Sequence, residues 1–330
     1  MNKLSNDTKK SMNDRIVTAL ILVLVCAPCL FIGGWFFAIL VFVATFFACH
    51  EFINAPKNKA YSLFVHIFVH AITYSFIFWT LIKNNLIDFG WDIEHWSFVN
   101  AFNADKAINV SVIGIAVGFL VLFFLTLNHE KFNVSDATYL CTMMVFMGLA
   151  IQSFLYLRFR PACGVEPSFF DIENSTLLVY VILGTFLSDV GAYFFGILFG
   201  RNKMNERISP KKTWEGFVGG VVTSTVLSFL FAFLLAYYKH PILKDIFDYE
   251  HWYNILIVSL IMPLTANLGD FIFSSIKRNY QVKDFGTLLK GHGGVLDRID
   301  SLLVTSLVVT IIIIFMGHGW SFLLWEESFY

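Results

Sequence analysis

Apolar runs long enough to cross a bilayer recur along almost the whole chain, and they leave it few ways to fold. They fall near 15–33, 35–53, 62–83, 109–127, 136–157, 176–199, 216–238, 252–273 and 301–325. A spanning helix needs roughly 17–25 apolar residues, and in hydrocarbon every backbone N–H and C=O must find its partner inside the protein. The pattern predicts an all-α, polytopic integral membrane protein with nine transmembrane helices. Only 14% of the 330 residues are charged, against roughly 25% in a soluble domain. The first run is long enough to span and lacks a small-residue cleavage site, so it reads as a retained helix.

Charge sets the expected orientation. If the runs alternate in direction, 17 of the 23 Lys and Arg residues fall on the side of the amino end: Lys3, Lys9, Lys10, Arg15, Lys57, Lys59, Lys131, the Arg201–Lys212 group and the Lys277–Arg298 group. Lys83, Lys106, Arg158, Arg160, Lys239 and Lys244 fall on the other. Cytoplasmic loops carry the excess of basic residues, so the amino end is expected inside, the carboxyl end outside, and the protein in the cell membrane as a multi-pass chain. Three regions follow: a polar, disordered segment 1–14, five N-terminal spans to 175, and a C-terminal region 176–330 with cytoplasmic loops 200–216 and 274–300.

Several polar residues read as unremarkable. Cys26 and Cys29 form a CxxC in mid-span without a His or a second pair, which suits small apolar filler better than metal or redox chemistry. His66 and His70 lie one helical turn apart in the third run and read as interior polar residues of the bundle. Glu51 ends the second run and reads as an interfacial carboxylate, not a ligand.

The two basic loops ask for more. Gly200–Gly216 holds Arg201, Lys203, Arg207, Lys211 and Lys212, with Ser209 and Thr213 as hydroxyl donors. Topology alone explains part of that charge. The adjacent run adds Asp189, a carboxylate inside an apolar helix, costly by at least ~2.5 kcal/mol at mid-membrane and a functional candidate for that reason. The stripe Ala192, Gly196, Gly200 on the same helix reads as close helix packing. In the second loop Asp270, Ser274 and Lys277 or Arg278 recur at helical spacing, Gly291-His292-Gly293-Gly294 turns the chain, and Asp297 and Asp300 open the next run one turn apart. Glycines let backbone amides approach an anion, and carboxylates on two helices, Asp270 and Asp297, are placed to share a metal. A lone Asp at a helix start is usually a cap; two acids flanking a basic glycine loop are harder to explain so. His292 reads as a structural or phosphate-contacting donor before a general base.

These residues resemble the phosphatidate cytidylyltransferase (CDP-diacylglycerol synthase) family, bacterial branch. Ser274, Lys277-Arg278, Lys283-Asp284, Gly286, His292-Gly293-Gly294, Asp297-Arg298 and Asp300 stand in the family spacing, and Ser188–Gly196 followed by Ile208–Gly216 is similar to it as well. The likeness covers 185–305; the first five spans share only hydropathy. The chain departs at Lys290, where the family has Pro, and at Ile197, where a basic residue is common. The resemblance implies an enzyme joining CTP to phosphatidic acid in the bilayer, releasing pyrophosphate. It implies Mg²⁺ on Asp270 and Asp297, with Asp189 and Asp300 as further ligands or orienters, and leaves a second cation and a homodimer open. Lys211, Lys212, Lys277, Arg278, Lys283 and Arg298 are implied phosphate contacts, and Ser209, Thr213, His292, Gly293 and Gly294 supporting donors; nucleic acid is not among the implied partners. A CTP-using lipid or polyprenol kinase needs similar parts, and a transporter also hides carboxylates among broken helices, though it has no use for two basic, glycine-rich loops.

Overall fold

The computed structural model describes residues 6–57, 60–83, 110–128, 132–159, 175–289 and 293–318. Nine helices lie within them: α1 Asn6–Ile32, α2 Gly34–Ile53, α3 Leu63–Lys83, α4 Val110–Asn128, α5 Val134–Phe159, α6 Thr176–Phe199, α7 Trp214–Tyr237, α8 Trp252–Asn279 and α9 Leu296–His318. By length and composition α2 and α5 to α9 can each cross a membrane, while the apolar stretches of α1, α3 and α4 are shorter. The outer faces carry Leu20, Phe36, Phe64, Phe124, Phe186, Leu227 and Leu260, all well exposed. Such a surface is costly in water and costless in lipid, so the chain is a polytopic membrane protein.

The structure corrects the sequence reading in three places. The polar residues 6–14, expected to be disordered, continue α1 as helix; extending a helix already nucleated by an apolar run costs far less than starting one. Arg158, counted as an outer-loop charge, lies in the last turn of α5 with its side chain fully buried, and its Nε donates to the Leu30 carbonyl at 3.0 Å. The last carbonyls of α1 have no partner within their own helix, so a cation is stabilising there. Between α6 and α7 the basic loop is not irregular: it folds into an antiparallel hairpin of β1 (Lys203–Asn205) and β2 (Ser209–Thr213). Asn205 shapes the turn by accepting from the Arg207 and Ile208 amides at 3.2 Å, the local bond that makes Asn a turn residue.

Small residues decide how the C-terminal helices meet. α6 and α7 cross where Gly191 faces Gly220 and Gly196 faces Gly216; a methyl on Gly220 would stand 2.6 Å from the Ser188 carbonyl oxygen. The stripe read from the sequence is thus a close helix contact. In α8, Pro263 has no N–H for the Ser259 carbonyl, which accepts instead from Thr225 Oγ1 of α7 at 3.3 Å. Where α8 and α9 cross, a methyl on Gly269 would lie 3.0 Å from Ser301 Cα. That crossing puts Asp270 beside the first turns of α9.

Candidate active site

One face of α8 carries the polar ladder expected from its spacing. Ser274 donates to Asp270 Oδ1 at 3.2 Å, and a turn further on Lys277 Nζ reaches Asp297 Oδ1 of α9 at 2.8 Å. Asp300 stands behind, with Oδ2 3.9 Å from the same ammonium. The Lys277 and Asp297 side chains are 10% and 3% exposed, so this is a buried ion pair. It persists because both oxygens of Asp297 are engaged: Oδ2 also accepts the Phe285 amide at 2.8 Å and the Gly294 amide at 3.0 Å. A buried pair is stable only when its remaining hydrogen-bonding groups are satisfied.

The glycine loop closes around this carboxylate. Gly293 has φ +84°, a conformation that penalises any side chain, and its carbonyl accepts the Leu289 amide at 2.9 Å, drawing the two ends of the loop together. Lys290 and His292 lie outside the described residues. The contact that the sequence reading missed comes from α2. Glu51, read as an interfacial carboxylate, is buried, and its two oxygens accept the Val295 and Leu296 amides at 2.9 and 2.8 Å. A carboxylate at a helix N-terminus satisfies orphan donors and meets the favourable end of the dipole.

The hairpin supplies the other side. Lys212 Nζ pairs with Asp270 Oδ2 at 2.7 Å, reaches Asn267 Oδ1 at 3.3 Å and lies 4.5 Å from the Phe271 ring centroid. Asn267 in turn donates to Ser188 Oγ of α6 at 3.0 Å and to the Pro263 carbonyl at 2.9 Å, joining hairpin, α6 and α8. It too was overlooked, although an Asn in an apolar helix is itself a signal. Thr213, expected as a substrate donor, caps α7 by accepting the Gly216 amide at 3.2 Å. Arg278, expected at phosphate, ties the hairpin tip to the end of α8, with Nε on the Ile208 carbonyl at 3.2 Å and Nη1 on the Val282 carbonyl at 3.3 Å. Lys211, Lys283 and Arg298 are exposed cations around the same end, and Ser209 is half-buried in β2.

A cavity of about 490 Å³ gathers these parts. Asp189, Asp270, Asp284, Asp297 and Asp300 line it with Lys277 and Arg298, while Leu22, Val23, Ile182, Phe186 and Leu302 form an apolar portion of its wall. Asp189 of α6 is thereby brought into the company expected of it. Among the described residues no three of His, Cys, Asp and Glu are grouped to hold a metal ion by themselves.

Carboxylates, ammonium groups and a glycine turn at one end of a membrane bundle define a class: a membrane-embedded enzyme that handles phosphate groups. The Cytidylyltransferase family matches residues 13–316, and the chain belongs to that family, which makes it a nucleotidyltransferase. The match takes in the first five helices, beyond the 185–305 stretch where the motifs lie. The phosphatidate cytidylyltransferase of Staphylococcus haemolyticus is 28% identical over 305 residues, covering 92% of this chain and 100% of the relative. That of Staphylococcus saprophyticus is 28% identical over 303 residues, covering 92% and 99%. That of Staphylococcus aureus is 32% identical over 200 residues, covering 61% and 68%.

Proposed function

We propose that the protein transfers the CMP moiety of CTP to phosphatidic acid, giving CDP-diacylglycerol and pyrophosphate, with Mg²⁺, on the cytoplasmic side of the cell membrane. The cavity carries this reading: five aspartates and two cations line it together with an apolar wall drawn from α1, α6 and α9. An amphiphile with a phosphate head and acyl chains needs both kinds of wall; a soluble substrate needs only one. The names of the relatives support the substrate pair.

The donor set suits a hard divalent cation. Mg²⁺ is usually held by one or two carboxylates plus substrate phosphates and water, not by a complete protein cage, and the aspartates lining the cavity can supply those carboxylates. Asp270 and Asp297 are the proposed holders, with Asp189 and Asp300 as further ligands or orienters. Both oxygens of Asp270 and Oδ1 of Asp297 have a second lone pair beyond the bonds described, whereas Asp297 Oδ2 already accepts two amides. When bound, the cation offsets the negative charge that two polyanionic substrates and five carboxylates would otherwise accumulate.

The chain's own groups do the rest. A phosphate monoester is largely dianionic at neutral pH, with a second pKa near ~6, so its oxygen can attack the α-phosphorus without a strong base. A new P–O bond forms to the lipid phosphate, and the bond to the pyrophosphate oxygen breaks. Catalysis is then mostly positioning and charge neutralisation. Lys277 lines the cavity where a phosphate arrives, Lys212 pairs with Asp270 of its wall, and Lys211, Lys283 and Arg298 add exposed positive charge around it. Thr213 and Arg278 act through the hairpin they hold in place.

The test uses purified protein with phosphatidic acid and CTP labelled at either the α- or the γ-phosphorus. The expected result is α-label in the lipid, one pyrophosphate per lipid formed, and no transfer without Mg²⁺. Label from the γ-position in the lipid would make the protein a kinase, and no lipid labelling from either would contradict the proposal.

A further inference from the structure

Among the described residues, one carboxylate of the N-terminal helices reaches the loop that carries the site, and its surroundings are unusually complete. Glu51 spans 244 and 245 residues of sequence to accept the Val295 and Leu296 amides. Gly286 and Gly294 enclose it from both sides: a methyl group at either position would collide with its carboxylate. The end of α2 is itself held, since Tyr139 of α5 donates to the Phe52 carbonyl at 2.9 Å and stacks edge-on against Tyr280, just beyond α8, at 4.8 Å. Glu51 is therefore a fixed post.

We propose that Glu51 is a positioning residue for the reaction: by gripping two consecutive amides at the start of α9, it sets where Asp297, Arg298 and Asp300 stand in the cavity. This rests on the cytidylyl transfer proposed above. A helix cap that only stabilises the fold would lower stability and leave turnover per folded molecule unchanged. A positioning residue lowers kcat, because a displacement of about 1 Å in a catalytic group costs on the order of 10²-fold in rate. Its two glycine neighbours follow from the same geometry, as any larger residue there would push the carboxylate off the amides.

The experiment compares steady-state kinetics of the full-length wild type with those of Glu51→Ala, Glu51→Gln, Gly286→Ala and the double variant Glu51→Ala/Gly286→Ala. Amide hydrogen exchange over residues 293–300 is followed in parallel. Glu51→Ala is expected to lower kcat by on the order of 10²-fold, with the Michaelis constant for phosphatidic acid within about twofold of wild type. Glu51→Gln, which keeps one acceptor oxygen, is expected to lose about tenfold. Gly286→Ala should lose activity alone and cost nothing further in the Glu51→Ala background, where the carboxylate it displaces is gone. Val295 and Leu296 should exchange faster in every single variant. Wild-type turnover tests the reaction itself; the ratios to wild type and the exchange rates test Glu51. If Glu51→Ala fails to fold, Glu51→Gln and Gly286→Ala decide the question. Turnover per folded molecule within about threefold of wild type, unchanged exchange at the two amides, or an equal cost of Gly286→Ala in both backgrounds would overturn the proposal.

Discussion

Lys212 and Asp270 meet between the hairpin and α8 at 2.7 Å, with side chains 21% and 33% exposed; Lys277 and Asp297 meet between α8 and α9 at 2.8 Å, with side chains 10% and 3% exposed. The distances differ by only 0.1 Å, but the settings are not alike. Asp270 has Ser274 as its other hydrogen-bond donor, and Lys212 comes from a strand that reaches the site over a turn. Asp297 holds two loop amides besides its lysine, and its helix start is gripped by Glu51. A partly exposed pair contributes about 0–1 kcal/mol and can exchange partners with an arriving phosphate at little cost. A buried pair whose carboxylate also holds two amides cannot. One end of the site is therefore suited to trading partners, and the other to keeping its shape while the exchange takes place.

The sharpest way to break this comparison is to remove one cation from each pair. Lys277→Ala leaves Asp297 buried and uncompensated, which should cost about 3–5 kcal/mol and abolish turnover, read by denaturation in detergent and by lipid product formation. Lys212→Ala should cost no more than about 1 kcal/mol while raising the apparent Michaelis constant for CTP by about tenfold, the signature of lost uniform binding. Similar stability losses in the two variants would erase the distinction. The smallest expected effect is at Lys290, outside the described residues. If it only replaces the family's Pro, Lys290→Pro should keep activity or raise it slightly, since a fixed φ near about −65° removes freedom the loop loses on binding. A severalfold loss of CTP affinity there, with Lys290→Arg unaffected, would show that its charge is used.

Much of this was legible in the sequence because it is local. Helix positions follow from runs of apolar residues, and the ladder Asp270–Ser274–Lys277 follows from helical spacing, since each rung lies within one turn of the next. The glycine stripe of α6 was legible for the same reason. The hairpin was not: five basic residues in 17 suggest topology, while the turn is set by a single Asn205 side chain and held by Arg278 from another helix. Thr213 could have been read as a cap from the Thr-Trp-Glu-Gly string, but its hydroxyl also suited a substrate donor. Glu51 lay furthest out of reach. Nothing near it in sequence announces a bond to amides 244 residues away, and an acid at the end of an apolar run is ordinarily solvated. Asn267 shows the opposite failing, an intramembrane polar residue whose cost was a signal left unweighed.

Asp270→Asn and Asp297→Asn, measured side by side for turnover across a Mg²⁺ titration and for stability in detergent, test the account most directly. Both should lose nearly all turnover, because both are proposed to hold the cation. Asp270→Asn should unfold within about 1 kcal/mol of wild type, whereas Asp297→Asn, which strands the buried Lys277, should lose about 3–5 kcal/mol. Near wild-type activity at low Mg²⁺ in either variant, or equal stability in the two, would contradict the division of labour between the two pairs.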